Sequence, residues 1–174
     1  MSDFDARTEE LEQLSLPEVE EAIGEIQRRI AVALRALGER AADEPDATGR
    51  PPRLAVAELA AQLELAALAL APAGGGGAAA HEGGDRTAPL AAALMYAAPT
   101  IPALLQRLDQ DRRLLVSLAR AAEEHPAPED APRPRRLLVE SGLEAAARCA
   151  MALEAALERH AEDAEPEAEA SGGP

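Results

Sequence analysis

Apolar positions along the chain recur at helical intervals, and short proline- and glycine-rich breaks divide them into segments. The clearest segment begins after Ser15. Leu16, Val19, Ile23, Ile26, Ile30, Ala33 and Leu37 alternate spacings of three and four, a heptad seam that predicts a helix over residues 16–42. Ser15-Leu-Pro-Glu18 has the form of a capping box, and Pro17 sits in the first turn, where its missing amide costs nothing. Residues 43–52 contain Pro45, Gly49, Pro51 and Pro52 and read as a loop. A second helix is predicted over 53–71. Its leucines at 54, 59, 63, 65, 68 and 70 leave a narrow polar edge at Glu58 and Gln62, so most of its circumference should be covered.

Pro72 ends that helix and a glycine-rich linker fills 73–86. A short third helix, 88–98, is expected to be capped by Thr87 and to carry Leu90, Leu94 and Met95; Pro99 and Pro102 then force a break. Thr100 can cap a fourth helix over 101–124, with Ile101, Leu104, Leu108, Leu115, Leu118 and Ala122 as its seam. Asp111 interrupts that seam. A proline-rich connector, 125–134, leads to a last helix over 135–163, whose seam is Val139, Leu143, Ala146, Ala150, Leu153, Leu157 and His160. The fold class that follows is all-α: an antiparallel bundle of four main helices plus one short helix. The bundle domain is expected to span 15–164, between an acidic N-terminal segment, 1–14, and an acidic C-terminal tail, 165–174, expected to be disordered.

Composition supports helix over sheet. Hydrophobic residues make up 47% of the 174 residues, with one Phe, one Tyr and no Trp, so Ala and Leu dominate the apolar set. Charge then removes whole classes of partner. The chain carries 32 acidic against 17 basic residues, a net charge of -15, and every basic residue is Arg. A nucleic-acid surface needs a basic stripe, yet the one local cluster is Arg133, Arg135 and Arg136; anionic membrane surfaces are disfavoured for the same reason. The chain also lacks Asn. A GC-rich genome accounts for the loss of both Asn and Lys and is the favoured explanation; halophilic adaptation, in which an acidic, lysine-free surface stays hydrated in high salt, accounts for the second alone.

Several chemistries are excluded by residue type. Without Lys there is neither a Schiff base nor a lysine-bearing phosphate loop, and Gly74–Gly77 lacks the spacing of a dinucleotide fold. A lone Cys149 rules out an intrachain disulfide framework and a thiolate zinc site. A carboxylate-bridged di-iron bundle needs Glu-x-x-His pairs, of which there are none, and a hemerythrin-like centre would have only Asp111, His160 and Glu162 at useful positions. No catalytic, cofactor-binding or metal residue is therefore assigned, and no cofactor is expected. An acidic N-terminus and the absence of an uninterrupted apolar run point to a cytoplasmic protein with no membrane span.

Two functions remain. The leading expectation is a non-enzymatic helical adaptor, assembly factor or accessory subunit acting through contacts with another protein or with itself, the first-helix seam at Ile23, Ile26 and Ile30 being the candidate surface. The alternative is a small-molecule or metal-binding bundle organised around Asp111 and His160, with Arg112, Arg113 and Tyr96 close by. Against the alternative, Asp111 sits in the polar run Asp109-Gln-Asp-Arg-Arg113, where a local rotation of the helix can bring it to solvent or pair it with a neighbouring Arg, and His160 sits in a last helical turn near solvent. Cys149 reads as a small buried apolar group, and Met95, Tyr96 and Met151 read as core positions.

Overall fold

The computed structural model describes residues 13–46, 49–71, 85–124 and 133–170, with side chains up to Asp163. The acidic segment 1–14, the glycine-rich linker 73–86 and the proline-rich connector 125–134 lie almost entirely outside the described residues, as do residues 171–174 of the tail. Among the described residues the regular structure is all helical, with no strand. The helices are α1 (Leu16–Asp43), α2 (Pro52–Leu70), α3 (Thr87–Ala97) and α4 (Ile101–Glu124). A last continuous helix follows, made of α5 (Pro134–Leu137), a π-helical stretch (Leu138–Glu144) and α6 (Ala145–Ala170).

The caps follow local chemistry. At the start of α1 the Glu18 carboxylate accepts the Ser15 hydroxyl at 2.6 Å and the Ser15 amide at 2.7 Å, and these two bonds hold the Glu18 carboxyl below the ordinary range. Thr100 Oγ1 accepts the Ala103 amide at 3.3 Å at the head of α4. The cap expected from Thr87 comes instead from Asp85, whose Oδ1 accepts the Thr87 amide at 2.9 Å, so Thr87 is already the first helical residue. Gly38 interrupts α1 with φ 75 and ψ 170, a backbone state open to glycine because a Cβ would clash there.

Side-chain pairs fix the directions of the helices. Glu20 near the start of α1 meets Arg112 and Arg120 late in α4, while Glu39 near its end meets the Ile101 amide, so α1 and α4 run in opposite directions. Arg53 at the head of α2 meets the Pro99 carbonyl and Glu64 further along meets Arg107, so α2 and α4 run the same way. Ile23 lies on Gly142 and Arg29 on Glu154, so α1 and α6 are also aligned. Successive helices thus alternate in direction, with α3 returning the chain from the far end of α2 to the start of α4.

At the centre of the bundle is α2, which packs against α1, α3, α4 and the last helix. Leu68 is its one exposed residue, as the near-complete apolar circumference of the sequence requires. The α1 seam turns inward: Val19, Ile23, Ile30, Ala33 and Leu37 are buried and Ile26 is half-buried. Gly142 explains how α1 approaches the π-helical stretch so closely. A Cβ there would stand 2.8 Å from Ile23 Cδ1.

Candidate functional site

A helix that covers the core with one stripe ordinarily carries charge on its other side. The third helix does not. Between Thr87 and Ala97 there is no charged residue, and Ala91 and Leu94 are the positions it buries. Its outer side therefore presents Ala88, Pro89, Ala92, Ala93, Tyr96 and Ala97 to solvent, with Leu90 and Met95 half-covered at the edge. Tyr96 is 91% exposed, so its assignment to the core is overturned; a short helix has too few turns to bury a second stripe. Met151 is corrected in the same way, at 67% exposed on the outer side of α6.

The polar candidates do not gather in one place. Asp111 is buried and faces α2, where the Arg107 Nε donates to its two oxygens at 2.8 and 2.9 Å and the same guanidinium bonds Glu64. Burial pushes the Asp111 carboxyl above its ordinary range in spite of Arg107, and the negative charge of Glu64 adds to the rise. Arg112 turns the other way, toward α1, donating to Asp109 at 2.9 Å with Glu20 at 3.7 Å. Arg113 is exposed and reaches Asp109 at 2.7 Å. Burial raises the Asp109 carboxyl, but the bonds from Arg112 and Arg113 together outweigh it and hold the group below its usual range. His160 is exposed on α6 and Tyr96 is exposed on α3. Ile23 and Ile30 are fully buried within the chain's own core.

Among the described residues one polar side chain is as enclosed as Asp111, and the sequence pattern did not single it out. Arg53, 4% exposed, opens α2 beneath Pro51-Pro52 and bonds the Pro99 carbonyl at 2.8 Å, Asp43 at 3.2 Å and Glu39. Its partners lie in the last turns of α1 and in the turn between α3 and α4, so the cluster reads as a structural clamp. The signal in the sequence was faint: an Arg one residue inside a helix whose first turn is otherwise apolar. Cys149 is buried and reduced, and burial, with the Glu58 carboxylate adding to it, pushes its thiol up to about 12, which leaves it inert as a nucleophile.

No protein-family profile, curated protein or solved structure matches the chain. Among the described residues no three His, Cys, Asp or Glu side chains are grouped to hold a metal ion. None of the described helices is long and apolar enough to cross a membrane.

Proposed function

We propose that the chain is a non-enzymatic helical adaptor, assembly factor or accessory subunit that binds another protein through the outer face of α3. One observation carries the reading: a charge-free helix whose exposed side holds the chain's only tyrosine, on a molecule of net charge -15. Leaving that stripe in water is unfavourable, and burying it against a partner recovers the hydrophobic free energy. Tyrosine suits such a position because it offers large contact area at small entropic cost and a hydroxyl for one hydrogen bond. The acidic surroundings favour a partner whose apolar patch is rimmed by basic groups. The first-helix seam is committed to the chain's own core, which favours a different protein as partner over a second copy. The single buried thiol of Cys149 suits a reducing compartment, and we place the protein in the cytoplasm.

The test compares the full chain with its Tyr96→Glu and Ala93→Glu variants, each purified from the native host at native salt. The expected result is a stoichiometric partner retained by the parent chain and lost by both variants, with circular dichroism unchanged. The same partner recovered equally with all three chains would refute α3 as the binding face. Sedimentation of the parent chain alone as a dimer that Tyr96→Glu dissociates would move the reading to self-association.

A further inference from the structure

We draw no further inference here: the strongest candidate, the cleft of about 480 Å³ between α2, the head of α3 and the π-helical stretch, is lined by Gln62, Ser141 and Arg148 but by none of the unpartnered buried side-chain nitrogens among the described residues, so nothing in the structure shows what would occupy it.

Discussion

Arg53 and Glu39 share a bonded contact at the point where three helix ends meet. The other Glu39 oxygen accepts the Ile101 amide at 2.9 Å, while the Arg53 Nη1 donates to the Pro99 carbonyl at 2.8 Å. One ion pair therefore ties the end of α1, the start of α2 and the turn between α3 and α4. Glu39 and Asp43 are about half exposed, so solvent screens much of the Coulomb attraction. The buried guanidinium and its bond to the Pro99 carbonyl carry the larger part. Arg53→Ala should cost about 2 to 3 kcal/mol in urea denaturation. Glu39→Gln keeps an acceptor for the Ile101 amide and should cost about 1 kcal/mol. An Arg53→Ala midpoint indistinguishable from the parent's would mean that the junction is held by apolar packing alone.

Two glycines in α1 make opposite predictions. Gly24 has helical backbone and open space where a Cβ would go, so Gly24→Ala should stabilise by about 0.5 to 1 kcal/mol through helix propensity. Gly38, at φ 75 and ψ 170, occupies a state that alanine avoids. Gly38→Ala should therefore cost about 1 to 3 kcal/mol. Stabilisation by Gly38→Ala as well as by Gly24→Ala in thermal denaturation would show that the α1 kink is not set by Gly38.

Long-range apolar patterning was legible in the sequence and single-residue geometry was not. The α1 seam, the full circumference of α2 and the breaks at Pro51-Pro52 and Pro99 all follow from spacing, because burial of a stripe is a repeated signal over many turns. The π-helical stretch around Gly142 is invisible to that reading; one extra residue per turn shifts a seam by less than the scatter of the pattern. Asp111 was legible as an interruption, and its i−4 partner Arg107 was within reach of the same logic. That Asp111 would be buried was not legible, since it depends on Glu64 and Arg107 meeting across α2 and α4. Tyr96 was misread because an eleven-residue helix buries only Ala91 and Leu94, and periodicity cannot tell which side of a charge-free helix faces in.

Cys149 should be unreactive in the native chain. Its thiol is pushed up to about 12, against about 8.5 for an unfolded cysteine, so at pH 8 the native thiolate fraction is about one in ten thousand. Alkylation by iodoacetamide at pH 8 should then proceed only through unfolding and accelerate steeply in urea. The same shift has a stability consequence of definite sign. The unfolded chain releases the proton near 8.5 while the folded chain holds it to about 12, so stability is lost as pH rises through that window, by up to about 1.4 kcal/mol per unit. Rapid labelling of the folded protein at pH 8 would contradict the burial of this group.

Salt should raise thermal stability. The arginines are largely engaged in ion pairs, such as Arg29 with Glu154 and Arg120 with Glu20, which leaves an acidic excess of -15 repelling itself across the surface. Screening weakens exposed pairs as well as that repulsion, but the repulsion involves more charges at longer range. The melting temperature should therefore climb between dilute buffer and molar sodium chloride; a flat or falling curve would show the pairs to outweigh the excess.

Stability and association should separate cleanly between α1 and α3. Ile23 and Ile30 are fully buried, and Ile23 fits the hollow left by Gly142, so truncating either side chain removes apolar contact and leaves a cavity. Ile30→Ala should cost about 2 to 5 kcal/mol, with sedimentation behaviour unchanged, because that seam faces the chain's own core. Tyr96→Ala touches nothing that the fold needs and should stay within about 0.5 kcal/mol of the parent, while partner binding weakens by at least tenfold. The reverse pattern, a stable Ile30→Ala chain that changes oligomeric state together with an unfolded Tyr96→Ala chain, would show that α1 is the association surface and α3 part of the core.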